Sequence, residues 1–305
     1  MYQRNNRLVQ IVPDDMGGYT MHYMTQAQIA SKISERAIVY EFKKTSAATL
    51  AKTGQASFPF RHRTASRDVV ASVAEAGTYP GIPVLDSVTD APQFLPDGTV
   101  QDKAGYDPRT RTYLAISTTL PPVGETRQDA VRAVRALMEL LKDFPLSAPA
   151  RGRGIWLAAL LTRLARGAFD GPCPMFVSRA NIQGAGKTKF WNLIGLIADG
   201  HEPEKTAFKV QERDFNDEII ASLAKGPAML MIDNVPPKVT FDSATLACVL
   251  TTGKFSARMK SAPTTAQMAV RAVMFATGNG MRLPSSAARE RRSAKVRPSS
   301  SSIAM

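Results

Sequence analysis

The segment Ala180-Asn-Ile-Gln-Gly-Ala-Gly-Lys-Thr188 constrains this chain more than any other part of it. It stands between a short apolar run, Pro174–Ser178, and a stretch with helical apolar spacing, Lys187–Ala198. The order predicts a strand, a glycine-containing loop over Arg179–Gly186, and a helix. Downstream, Phe215–Ala224 reads as a helix, Ala228–Ile232 as a buried strand, Thr245–Thr251 as a helix and Ala272–Ala276 as a third strand. Strands separated by helical segments imply a mainly parallel sheet with helices on its faces, so the expected class is α/β in three layers.

Upstream, the pattern changes. Residues 1–125 are rich in turn signals and lack sustained helical spacing until late, with Arg7–Val12, Ala37–Phe42 and Thr112–Ile116 reading as short strands. Pro-Asp-Gly at 96–98 and Tyr-Asp-Pro at 106–108 read as turns. A small α+β region is expected there. From Thr126, an N-cap candidate, Ala130, Val131, Val134, Leu137, Met138 and Leu141 recur at helical spacing up to Pro145. Ser147-Ala-Pro-Ala-Arg-Gly-Arg-Gly then reads as a linker, and about Ile155 to Ala168 as a second helix. Arg163 and Arg166 fall near its end, where cations complement the helix dipole. The expected organisation is an N-terminal region over 1–125, a helical linker or collar over 126–170, the α/β core over 171–283 and an unpacked basic, Ser-rich tail over 284–305.

Composition limits the partners. The longest apolar runs, Ile155–Leu161 and Ala228–Ile232, fall far short of the roughly 18 to 20 residues that a membrane span requires. Only Cys173 and Cys248 are present, outside any C-x-x-C pattern, and His22, His62 and His201 have no metal-ligand spacing. Neither a disulfide framework nor a thiolate zinc site is expected, and a reducing, cytoplasmic setting is. The formal net charge is +13 with a pI near 9.9. Residues 1–145 hold 17 basic and 15 acidic side chains, whereas 146–305 hold 22 and 11, so the surplus belongs to the C-terminal half. Within it, no acidic residue occurs between Asp242 and Glu290, while Lys254, Arg258, Lys260, Arg271 and Arg282 do. A cationic surface for a polyanion is one reading, and a solvated face is the other.

Three elements in a fixed order carry the chemistry. In a strand–loop–helix turn of this composition, glycines let successive backbone N–H groups face a phosphate, the helix N-terminus adds positive potential and a Lys bridges β- and γ-phosphates. Gln183, Gly184, Ala185, Gly186, Lys187 and Thr188 fill these roles, with the Thr188 hydroxyl directed at Mg²⁺. Asn181 stands where the phosphate-loop pattern begins with Gly, a position at which Asn tolerates left-handed backbone. The second element, Met229-Leu-Met-Ile-Asp233-Asn234, is an apolar strand ending in a carboxylate suited to the Mg²⁺ side of the site. Asn234 occupies the position of the usual catalytic acid, and an amide can orient a water but cannot take its proton. Glu212, Asp217 and Glu218 are weak substitutes. The third element, Val273-Met-Phe-Ala-Thr-Gly-Asn279, delivers a polar Asn at a strand end, where it can bond a γ-phosphate or the attacking water.

The series Lys187, Asp233, Asn279 spans 92 positions and resembles the superfamily-3 helicase core, a compact AAA+-related P-loop ATPase of phages, plasmids and small viruses. Ile232-Asp-Asn-Val, Leu250-Thr-Thr, Arg258 and Ala276-Thr-Gly-Asn are closer still to phage and mobile-element primase–helicases, with looser likeness upstream from Pro83-Val-Leu to Gly105-Tyr-Asp-Pro. The resemblance implies ATP and Mg²⁺ as cofactors, a homo-oligomeric ring, single-stranded or forked DNA and the element's replication proteins as partners, and no membrane. It implies a pore-lining β-hairpin between the second and third elements, with Lys254, Lys260 and Arg271 gripping the nucleic-acid backbone, and Arg258 near a nucleotide at a subunit boundary. Beyond Met281 the chain departs from the family's Arg-bearing continuation and gives way to Ser-rich sequence, which reads as a shortened end.

Overall fold

The computed structural model describes residues 1–15, 17–42, 51, 60–116, 124–258, 265–283 and 303–304. The chain divides into two compact units, Met1–Gln10 with His22–Pro83, and Ile11–Met21 with Val84–Met305.

In the first unit, Tyr2–Arg4 pairs antiparallel with the start of Arg7–Pro13. Asn5 and Asn6 lie between them at φ 50° and 60°, the left-handed pair that a two-residue hairpin loop requires. Val39–Phe42 pairs antiparallel with Phe60–Arg63. Two helices, Gln26–Arg36 and Arg67–Ala74, occupy a stretch in which apolar spacing announced none. Their signal was at the caps. The Thr25 hydroxyl accepts from the Gln28 N–H at 3.3 Å while the Gln28 side-chain oxygen accepts from the Thr25 N–H at 2.9 Å, a reciprocal capping box. Leu8, Met24, Ile29, Val70 and Tyr79 form the core of this unit.

The second unit begins with a small sheet in which Thr112–Leu114 pairs parallel with Ser87–Thr89 and antiparallel with Gly105–Asp107. The elements that follow are, in chain order, α1 (Arg127–Leu140), α2 (Pro149–Leu164), β1 (Phe176–Ala180), α3 (Lys187–Ala198), β2 (Glu204–Ala207), α4 (Glu212–Ala224), β3 (Met229–Val235), α5 (Ala244–Thr252), β4 (Lys254–Arg258), β5 (Thr265–Ala269), β6 (Val273–Asn279) and β7 (Ile303–Ala304). The main sheet runs β2-β3-β6-β1-β7, with the first four strands parallel and β7 antiparallel to β1. The expected α/β arrangement with a mainly parallel sheet is present. The strand β2 was not anticipated, because Glu204-Lys-Thr-Ala is short, polar and at the sheet edge. In the stretch read as an unpacked tail, Ile303 and Ala304 pair with Ala180 and Arg179.

The residues read as a linker are largely helical. Pro149 occupies the first turn of α2, where its missing N–H is no loss, and helix runs through Gly152 and Gly154. Gly152 gives Leu146 room: a Cβ there would meet its side chain at 3.0 Å. Arg163 and Arg166 fall, as expected, in the last turn of α2 and in the short 3-10 turn that follows it. Both are buried. Arg163 forms an ion pair with Asp199 at the end of α3 and reaches the Thr89 hydroxyl, and Arg166 donates to the carbonyls of Phe169, Gly171 and Val270 at 2.8–2.9 Å. Besides lying at the helix end, these cations tie elements together.

Both faces of the sheet are covered, as the unbroken burial of Met229–Ile232 and Val273–Thr277 requires. On one face, Met229, Met231, Val273 and Phe275 meet Trp156, Leu160, Phe190, Trp191 and Ile194. Two tryptophan N–H groups pin this layer: Trp191 Nε1 donates to Ser178 Oγ at 2.9 Å and Trp156 Nε1 to the Phe190 carbonyl at 2.8 Å. The first turns of α3 are thereby fixed against β1 and α2. Of the apolar stripe on α1, Leu137 and Met138 join the core, whereas Val131 and Val134 are exposed.

Candidate functional site

Parallel strands deliver their C-terminal ends to one edge of a sheet, and the loops there form the crevice in which α/β folds place ligands. Here that edge carries Ala180, Asp233 and Asn279, with Ala180 paired to Asn279. The Gly280 N–H donates to the Ala180 carbonyl at 3.0 Å, joining the ends of β1 and β6.

The loop from β1 to α3 requires glycine at two positions. Gly184 has φ 81°, and Gly186, the N-cap of α3, has φ 84°, both in the left-handed region. Asn181 is not among the positive-φ residues. The expected need for left-handed backbone at this position therefore does not arise, and a residue other than glycine there is unstrained. Gln183 and Gly184 are exposed, Ala185 is buried, and the Phe144 ring lies against Gly186, where a Cβ would meet it at 3.5 Å. Phe144 packs edge-on to Phe190 at 5.1 Å between ring centres, so the aromatic core supports the loop from beneath.

Lys187 opens α3 and is only 7% exposed. Its Nζ donates to Asn279 Oδ1 at 2.6 Å. Burial pushes its pKa below the ordinary lysine value, and the Asp233 carboxylate opposes that shift. The adjacent Thr188 donates its hydroxyl to Asp233 Oδ1 at 2.9 Å, and the Thr277 hydroxyl donates to the same oxygen at 2.6 Å. Among the described residues no donor is bonded to Asp233 Oδ2. Asn234 follows at φ 60°, with its side chain exposed and its N–H donating to Thr277 Oγ1 at 3.0 Å.

Lys187, Thr188, Asp233, Asn234 and Asn279 thus share one open cleft of about 920 Å³, together with the 182–186 loop. Its remaining wall, Asp143, Phe144 and Pro145, and the polar Thr277 were not anticipated. Thr277 carried a signal, a hydroxyl directly after the apolar run Val273–Ala276 and within the same strand. The Asp143–Pro145 wall had none, because only the packing of α1 against the core brings it here.

Other candidates lie elsewhere. Glu212 Oε1 accepts from the Ser243 hydroxyl at 2.8 Å and the Thr245 N–H at 3.2 Å, so it caps α5. Glu218 accepts from Thr206 Oγ1 at 3.4 Å. Neither, nor Asp217, lines the cleft. Lys254 and Arg258 begin and end β4, which pairs antiparallel with β5 in a hairpin between the second and third elements. Lys260 lies outside the described residues. Arg271 does not present a free cation. It is 11% exposed and pairs with Asp170 at 2.6 Å, with a further bond to the Phe169 carbonyl at 3.3 Å, because the hairpin returns it to the packed base of the unit.

The cleft contains the donor set that a phosphorylated ligand and a hard divalent cation need: backbone N–H groups at a helix N-terminus, an ammonium group, a hydroxyl and a carboxylate with one oxygen free of internal bonds. No family model matches the chain, and no curated protein matches it. Among solved structures it is similar to the A-form apo structure of the NrS-1 C-terminal region, at 11% identity and a TM-score of 0.34. That alignment covers 89% of this chain and 54% of the other, so the chain spans about half the length of the region it matches. No helix among the described residues is long and apolar enough to cross a membrane.

Proposed function

We propose that this chain is a P-loop ATPase of the superfamily-3 helicase type from a phage or integrated mobile element. It uses ATP and Mg²⁺ to move on single-stranded or forked DNA as a homo-oligomeric ring. The observation that carries the reading is the convergence of Lys187, Asp233 and Asn279, 92 positions apart at the extremes, on the same end of three adjacent parallel strands.

In this reading the 183–187 backbone and the Lys187 ammonium bind the phosphates. Burial of Lys187 strengthens that attraction, because the ammonium gains more from a phosphate oxygen in a low-dielectric wall than in water. Thr188 and Asp233 hold Mg²⁺, which when bound neutralises phosphate charge. Asn279 orients the terminal phosphate or the attacking water from the β6 end. Asn234 lines the cleft but cannot accept a proton, so turnover by the isolated chain is slow. Lys254, on the β4–β5 hairpin, supplies backbone contacts to DNA without sequence preference, and Arg258, at the end of β4, serves a nucleotide at a subunit boundary.

ATP hydrolysis measured with and without single-stranded DNA, at chain concentrations that allow assembly, tests the proposal. The expected result is DNA-stimulated turnover that Lys187→Ala abolishes. Asn234 favours a second reading, a chain that binds nucleotide or DNA without productive turnover. Lys187-dependent ATP binding with no hydrolysis under any condition would select it.

A further inference from the structure

We propose that Thr277 is a positioning residue for this cleft: its hydroxyl aims the Asp233 carboxylate and holds Asn234 in its left-handed turn. The inference rests on the nucleotide reading above and adds a residue to it.

The backbone poses the problem that Thr277 solves. Strands β3 and β6 pair in parallel register at Ile232 with Ala276 and again at Val235 with Gly278. β3 therefore takes three steps where β6 takes two, a bulge that sets Asp233 and Asn234 opposite Thr277 alone. The extra residue leaves the Asn234 N–H without a ladder carbonyl, and its φ of 60° turns that N–H inward. A backbone donor left without a partner at a partly buried position is costly, and Thr277 Oγ1 accepts this one at 3.0 Å. A hydroxyl has one proton to give, and Thr277 gives it to Asp233 Oδ1 at 2.6 Å. Thr277 itself is 1% exposed, so its hydroxyl is committed to these two bonds.

Asp233 Oδ1 consequently receives two hydroxyl protons, from Thr277 and Thr188, while Oδ2 receives none from the described residues. The carboxylate is held with one oxygen turned into the fold and the other left for the cleft. Thr188 is itself a proposed metal ligand, whereas Thr277 is not. Only Thr277 can hold Asp233 in the same orientation with and without a cation. Partners of this kind behind a metal-binding carboxylate fix its direction and raise its affinity.

The test compares the full chain as wild type, Thr277→Val, Thr277→Ser, Lys187→Ala and Asp233→Ala. A fluorescent ATP analogue is titrated with and without Mg²⁺, and thermal unfolding is followed in parallel. Valine keeps the shape and removes the hydroxyl, and serine keeps the hydroxyl. Thr277→Val should raise the Mg²⁺ concentration needed for tight binding by roughly 10- to 100-fold, the usual effect of removing a partner behind a metal ligand. Metal-free nucleotide binding should change far less than the Mg²⁺ midpoint, and Thr277→Ser should restore that midpoint. If Thr277 only plugs the bulge, Thr277→Val lowers the melting temperature and leaves that midpoint where it was, which overturns the proposal. Should valine not fold, Thr277→Ala against Thr277→Ser makes the same comparison. Wild-type binding that depends on Lys187 and Asp233 but not on Thr277 would overturn this assignment alone. Absence of any Lys187-dependent binding would overturn the nucleotide reading and the role of Thr277 with it.

Discussion

Replacing Asp199 with leucine should unfold the second unit far more readily than its place at the end of a helix suggests. The Arg163 and Asp199 side chains are 2% and 1% exposed, and the guanidinium meets both carboxylate oxygens, with Nε to Oδ2 at 3.1 Å and Nη2 to Oδ1. Asp199→Leu strands the guanidinium in the interior with the Thr89 hydroxyl as its remaining partner. Removing one member of such a pair costs about 3–5 kcal/mol, a large share of the 5–15 kcal/mol typical of a folded domain. At a urea slope of roughly 2–3 kcal/mol per molar, the midpoint should fall by about 1–2 M. The double variant Arg163→Met, Asp199→Leu should recover most of the loss, since an apolar pair of similar volume is often as stable as a buried ion pair. Trp156 and Trp191, the two tryptophans, are fully buried in the adjoining core, so urea titration followed by tryptophan fluorescence reads this unit directly. If Asp199→Leu costs less than about 1 kcal/mol, the value of an exposed ion pair, the buried-charge reasoning is refuted. It is equally refuted if the double variant is no better than the single.

Four further outcomes are expected. The Asp90 side chain raises the pKa of His201 from 6.5 to about 9, so its contribution to stability is complete below pH 6.5 and is lost as pH rises towards 9. Thermal melts across that window should show a decline of up to about 3 kcal/mol, and Asp90→Asn should flatten it. Gly195→Ala should destabilise by about 1–3 kcal/mol although alanine is the better helix former, because its Cβ would stand 2.5 Å from the His201 carbonyl oxygen. Gly154→Ala, with open space around the new methyl group, should stabilise α2 by about 0.5–1 kcal/mol, and denaturant midpoints would reveal an error of sign at either glycine. If slow turnover stems from the amide beside Asp233, Asn234→Asp should raise ATP hydrolysis 10-fold or more, Asp being among the residues that tolerate positive φ. An unchanged rate would assign the limit to another step.

Residues adjacent in sequence made much of the core legible. The strand, loop and helix around Lys187, the helix after Thr126 and the strands ending near Asp233 and Asn279 follow from apolar period, glycine placement and capping chemistry, all local. The paired order of three polar strand ends was enough to expect that they meet, because parallel strands carry their C-termini to one edge. Tertiary structure decided what the polar groups do once they arrive. Arg163, Arg166 and Arg271 look alike in sequence to any solvent-facing cation, yet the first two are buried and each is engaged by a partner far along the chain: Asp199, the Val270 carbonyl and Asp170. Thr277 shares a motif with Asn279, but its use depends on a bulge in a different strand, and whether Asn181 must be left-handed depends on the path of the loop. Periodicity reports which face of an element is apolar. It does not report which long-range partner neutralises a buried charge, and in this chain those partners set both the stability of the second unit and the direction of the Asp233 carboxylate.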